Sequence, residues 1–159
     1  MATATKKRPT LTADFETTTQ PDKNGFVKVW AWGISDIKHP DIFKWGRDIQ
    51  SFFEFCESLK NGLIYFHNLK FDGGYIIDYL LRHNYKWIAD SKGHKTRTFT
   101  TLITDTGQFY SIKVYFSVHG KNSVYVEFVD SLKILNMSVR QVAKAFNLSM
   151  SKGDIDYTR

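Results

Sequence analysis

Leu63-Ile64-Tyr65-Phe66-His67-Asn68-Leu69-Lys70-Phe71-Asp72-Gly73 decides the architecture of this chain. Its first four residues are the most apolar short run in the sequence. That length suits a strand buried on both faces at the centre of a sheet. Helical spacing follows, because residues 72 to 83 carry Ile76, Tyr79 and Leu80 before a stop near Asn84. A buried strand that feeds straight into a helix is the half-unit of an α/β fold. The loop between them opens at a sheet edge, where sites in such folds tend to lie. Asp72 stands where the helix begins, either as its N-cap or as an acid offered at that edge.

Upstream, Leu11 to Phe15 is apolar and short enough for a buried strand. Gln20 to Gly25 is turn-rich, and Val27 to Ile34 alternates with period two, so the two runs are expected to pair antiparallel. Asp41 to Trp45 is a candidate third strand. Asp48 can cap a helix with Ile49, Phe52, Phe53, Cys56 and Leu59 on one face, ended by Asn61-Gly62. Downstream, Phe99 to Phe116 and Ser123 to Val129 alternate in β fashion around a His119-Gly120-Lys121-Asn122 turn. Ser138 with Gln141 is a capping-box pattern, and its helix is expected to bury Val139, Val142, Ala143 and Phe146. The order β-β-β-α-β-α-β-β-α predicts an α/β domain, a mixed sheet with helices against its faces. Residues 1–10 read as a flexible basic arm and 11–159 as one domain.

The 159 residues fit a single domain, and 42% hydrophobic content excludes wholesale disorder. Thirteen Phe, eight Tyr and four Trp serve equally as core and as platforms for unpaired bases. A net charge of +6 favours polyanionic partners. The single Cys56 excludes an internal disulfide and a cysteine-based zinc site, and fits a reducing cytoplasm. Met1 to Pro9 has no apolar segment of signal-peptide type, and no run is long enough to cross a membrane as a helix.

Ala13-Asp14-Phe15-Glu16-Thr17-Thr18-Thr19 sets two carboxylates on alternate residues. In a strand they share a face. Side by side they repel, and a hard cation such as Mg²⁺ or Mn²⁺ between them removes the cost. Two unrelated acids at a solvated strand end are the plain alternative. Asp72 would supply a third carboxylate. Asn68 can hydrogen-bond a base or sugar, and Phe71 can stack on a base or sit in the core. His67 reads better as a structural histidine than as a metal ligand. Ser131, in Asp130-Ser131-Leu132-Lys133, can donate to a phosphate or cap a turn. Lys152, beside Gly153, can approach a phosphate closely or belong to an ordinary basic turn.

Together these stretches resemble the N-terminal 3′–5′ exonuclease domain of the protein-primed family B DNA polymerases, the phi29-like group. Asp14 to Thr19 is similar to that family's first exonuclease motif and Tyr65 to Gly73 to its second. Val29-Trp30-Ala31-Trp32-Gly33, Asp130-Ser131-Leu132-Lys133 and Lys152-Gly153-Asp154-Ile155-Asp156-Tyr157 recur in the same order, so the resemblance spans roughly residues 11–157. It implies a ribonuclease-H-like (DnaQ-like) fold and two-metal hydrolysis with Mg²⁺ or Mn²⁺, Asp14, Glu16 and Asp72 being the catalytic metal-binding acids. Lys152 would assist catalysis. Thr17, Tyr65, His67, Asn68, Phe71, Tyr75, Ser131, Leu132 and Tyr157 would contact the single-stranded DNA 3′ end. It further implies a DNA replication role in a bacterial host's cytoplasm, in a phage- or mobile-element-encoded protein whose other partners include a polymerase portion and a terminal protein. The family's third motif, Tyr-x-x-x-Asp, is expected just after Tyr157, and the sequence stops at Arg159. A fragment or truncated gene product with much reduced activity is therefore expected. The alternative is a non-catalytic module that binds single-stranded DNA or the terminal protein.

Overall fold

The computed structural model describes residues 8–148; Lys152 and Tyr157 lie outside them. Eight strands form one mixed sheet: β1 (Thr10–Thr17), β2 (Val29–Asp36), β3 (Phe43–Gly46), β4 (Asn61–Phe66), β5 (Lys86–Trp87), β6 (Thr98–Ile103), β7 (Phe109–Ser117) and β8 (Val124–Asp130). Four helices accompany them: α1 (Ile49–Ser58), α2 (Leu69–Arg82), α3 (Leu132–Leu135) and α4 (Val139–Ala145). The spatial order is β3-β2-β1-β4-β8-β7-β6-β5. β1, β4 and β8 are parallel neighbours, and β2 and β7 flank them antiparallel. This is the expected α/β fold with a mixed sheet.

Aromatic side chains fill the core between the sheet and the two longer helices. Phe52 of α1 meets Phe15, Phe66 and Phe128 at ring separations of 4.8, 6.1 and 5.9 Å. Phe53 stacks flat on Tyr79 of α2 at 4.1 Å, which ties the helices to each other. Asp48 caps α1 as expected, its carboxylate accepting from the Ser51 N–H at 2.7 Å. Lys60, in the left-handed region, turns the chain after α1, so Asn61 and Gly62 open β4 rather than end the helix. β4 is central, but its residues alternate between buried and half-buried. α1 and α2 both cover the same face, so the opposite face of β4 has no such layer over it. The single stretch expected from Phe99 to Phe116 is two strands, because Gly107 (φ 75°) makes a hairpin turn closed by Gly107 N–H to Thr104 O. The capping box at Ser138 and Gln141 is present. Of the residues expected to be buried by α4, Ala143 is buried and Val142 half-buried, whereas Val139 and Phe146 are exposed.

The chain is already anchored at Arg8, whose guanidinium donates to Gly62 O at 2.9 Å and to Glu127 at 3.1 Å. Among the described residues no helix is long and apolar enough to cross a membrane.

Candidate functional site at the carboxyl ends of the parallel strands

Ala13, Phe66 and Asp130 stand level across β1, β4 and β8. The residues that follow them, Asp14, His67 and Ser131, therefore form a row where the three parallel strands end. Along β1, Leu11, Ala13 and Phe15 are buried, whereas Asp14 is exposed and Glu16 half-buried. The expected sharing of one strand face by Asp14 and Glu16 is what β1 provides.

Asp72 is not the N-cap of α2. Asn68 holds that position in the left-handed conformation (φ 73°, ψ 58°), and the helix starts at Leu69. Asp72 falls one turn inside and is only 3% exposed. There its carboxyl lies beside the backbone N–H of Phe15, the residue between Asp14 and Glu16. Its Oδ1 is buried with no hydrogen-bond partner. Burial pushes the Asp72 carboxyl up to about 7 from 3.8, the Asp14 charge adds to this, and the Glu16 charge adds less. The N–H groups of Asp72 and Phe15 pull the other way. Among the described residues no three His, Cys, Asp or Glu side chains form a ready-made metal cluster. What the structure gives instead is one buried Asp72 oxygen on which the Asp14 and Glu16 charges both act.

α2 reaches this depth because of Gly73. A Cβ there would stand 3.0 Å from the Phe109 ring and 3.2 Å from Ile112, tighter than ordinary packing allows. The loop before α2 is fixed by Asp130, which no role was expected to fall on. Buried at the end of β8, its Oδ1 accepts from Asn68 N–H at 3.1 Å and Leu132 N–H at 2.9 Å. One carboxylate thus pins both loops that border the row. The signal for it in the sequence is an apolar β run that ends in an acid.

Ser131 uses its hydroxyl proton inside the protein. Its Oγ donates to Phe66 O at 3.2 Å and lies 3.2 Å from His67 Nδ1. His67 is therefore held by Ser131 as a structural histidine is. Its Nε2 is buried without a partner. Ser131, expected to donate to a phosphate, does not have its proton to spare.

A cleft of about 930 Å³ lies on the face turned away from α1 and α2. Asp14, Glu16, Tyr65, His67 and Ser131 line it, and it extends to Phe43 and Trp45 of β3. Those two rings, 58% and 62% exposed, were not among the candidates; alternation within β3 is the signal that aims them together. Phe71 is exposed and meets Tyr75 edge to face at 5.8 Å, so it is no core residue. Thr17, Asn68, Phe71, Tyr75 and Leu132 do not line this cleft.

Residues 56–159 match the model of the family described as DNA polymerase type B, organellar and viral. The chain belongs to that family. It is 39% identical over 150 residues to the DNA polymerase of Bacillus phage Nf, an alignment covering 94% of this chain and 25% of that protein. Two solved structures of phi29 DNA polymerase, one complexed with single-stranded DNA and one with primer-template DNA, each superpose on this type B chain with a TM-score of 0.84 at 35% identity. They cover 95% and 96% of it and 26% of their own length. The type B chain thus spans about a quarter of the length of the relatives it matches. Its ribonuclease-H-like fold is the one expected from its sequence.

Proposed function

We propose that this chain is the 3′–5′ exonuclease part of a phage-type, protein-primed DNA polymerase, which hydrolyses the terminal phosphodiester of single-stranded DNA ends. One observation carries this reading: a buried, partnerless Asp72 oxygen beside Asp14 and Glu16 at the carboxyl ends of three parallel strands. Repelling carboxylates around an unsatisfied oxygen are the donor set that a hard cation fits. Asp14, Glu16 and Asp72 would hold Mg²⁺ or Mn²⁺, which when bound supplies a lowered pKa for a coordinated water and charge neutralisation at the phosphate.

The chain's other residues do the holding. Phe71, exposed on the first turn of α2, offers a face on which a terminal base can stack, worth about 1–3 kcal/mol per base. His67 and Tyr65 line the same wall of the cleft, where a DNA strand can lie against them. Asp130 keeps the Asn68 loop in place so that its side chain faces solvent at the same edge. Lys152 and Tyr157 enter the proposal from the family resemblance. The single-stranded DNA complex of phi29 DNA polymerase, a chain of the same fold, supports a DNA strand as the ligand. The phage origin of the relatives supports action in a bacterial host cytoplasm.

The test is shortening of a 5′-labelled single-stranded oligonucleotide with Mg²⁺ or Mn²⁺. The expected result is stepwise loss from the 3′ end, abolished by Asp14→Ala or Glu16→Ala. The loss should exceed the roughly 10–100-fold that removal of a supporting residue costs. Shortening that survives both substitutions would refute the assignment. Chelator-insensitive binding with no shortening would leave the chain as a non-catalytic single-strand-binding module.

A further inference from the structure

The opposite end of the same strands carries an unrelated set of groups. β6 starts at Thr98, paired with Tyr115 of β7, which pairs with Tyr125 of β8. The segments 88–97 and 118–123 therefore meet at the amino-terminal end of β8. Val118 N–H to Thr96 Oγ1 at 3.0 Å joins them directly, while Arg97 N–H to Tyr115 O and Tyr125 N–H to Lys60 O, both 2.9 Å, tie the junction to β7 and bring Lys60 to the start of β8. Lys60, Lys92, Lys95, Arg97 and Lys121 are exposed around this junction. The single acid within the two segments is Asp90, whose carboxylate is occupied with the Lys92 N–H.

Among the described residues none of these five cations forms an ion pair. Nearby side chains rest on aromatic rings instead. Arg97 lies over Tyr85 at 5.4 Å, Lys113 over Tyr125 at 4.7 Å, and the His94 ring stacks on Tyr115 at 4.6 Å. Glu127, the nearest acid on the strand, is taken by Arg8. A ring orients a cation without neutralising it, so the charge remains available to a partner. From Tyr125 to Asp130 the strand advances about 16 Å, so this surface is separate from the acid edge.

We propose that this basic junction is a second nucleic-acid contact, one that binds the phosphodiester backbone by charge and reads no base. Cations spread over two loops match a chain of regularly spaced phosphates, which gives affinity without sequence preference. Membership of a DNA polymerase family supplies nucleic acid as the polyanion at hand. The contact does not depend on hydrolysis at the acid edge.

The experiment is a salt titration of binding to a labelled 20-nucleotide single strand, followed by anisotropy in chelator so that no cleavage intervenes. The triple variant Lys92→Gln, Lys95→Gln, Lys121→Gln should flatten the slope of log affinity against log salt by about 2 and weaken binding about tenfold or more at low salt. Lys121→Gln alone should flatten it by about 0.7. The control is Lys23→Gln, Lys44→Gln, Lys144→Gln, which removes equal charge elsewhere and should leave the slope unchanged. An unchanged slope in the first triple overturns the proposal, and so does an equal loss in the control. Neither result bears on exonuclease activity, which Asp14→Ala tests separately.

Discussion

At the carboxyl ends of β1, β4 and β8 two buried carboxylates, Asp72 and Asp130, stand beside the exposed Asp14 and the half-buried Glu16. At the amino end of β8 the charged groups are exposed, cationic and carried on loops. Asp72 and Asp130 are 3% and 2% exposed, whereas Lys92, Lys95 and Lys121 lie open to solvent. The difference fits the two proposed roles. Bond cleavage needs groups fixed within fractions of an ångström, which a strand end and a first helical turn provide. Attraction of phosphates needs only charge density, which loops provide at little cost to stability. The acid end should therefore be sensitive to single substitutions in both stability and geometry, and the basic end should respond mainly in binding.

The largest effect is expected at Asp72, and its sign separates the two ends. The unfolded carboxyl ionises near 3.8 and the folded one near 7. The folded state therefore keeps a proton that the unfolded state has released. Its contribution to stability is full below 3.8 and is lost as pH rises through 7. The displacement corresponds to roughly 4 kcal/mol at alkaline pH. Asp72→Asn removes that cost, so melting in the absence of divalent ions should rise by about 5–10 °C at pH 8 and not at pH 3. An unchanged or lower midpoint at pH 8 would show that the acid end is not strained.

Next in size is Asp130→Ala. It deprives two backbone N–H groups of their acceptor and should destabilise the chain by about 3 kcal/mol, read as a lower urea midpoint. A loss below about 0.5 kcal/mol would mean that the loops bordering the row hold themselves. The smallest is Gly73→Ala. Pressing a methyl group against Phe109 and Ile112 should cost about 1–2 kcal/mol and lift the first turn of α2. If the acid edge depends on that depth, the pH dependence of melting assigned to Asp72 should weaken in this variant.

Much of this was legible in the sequence because it rests on local rules. Period-two alternation marked β2, the Asp48 and Ser138 caps marked two helix starts, and the run Leu63 to Phe66 marked the central strand. Asp14 and Glu16 could be placed on one face because strand geometry alone puts them there. What escaped depended on contacts distant in sequence. Asp72 looked like an N-cap because helical spacing is readable only from residue 72 onward, whereas Asn68 takes the capping position, where Asp130 binds its N–H. Val139 and Phe146 follow a helical pattern that says nothing about which surface meets them. The exposed rings of Phe43 and Trp45 gain meaning only from the pairing of β3 with β2. The basic junction had no signal, since its cations are scattered between residues 60 and 121 and converge only through the pairing of β6, β7 and β8.

The level row of Ala13, Phe66 and Asp130 has a kinetic consequence. These neighbours lie more than fifty residues apart along the chain and belong to parallel strands, which no hairpin can bring together. The hairpins β1–β2 and β6–β7 can close early, but the acid edge has no existence in either of them. It appears only once the two long crossovers are complete, so the pairing of β4 with both neighbours should set the pace of folding. A nascent chain that has emerged only as far as α2 would hold all three acids of the site and still lack the strand whose Asp130 fixes the loop between them.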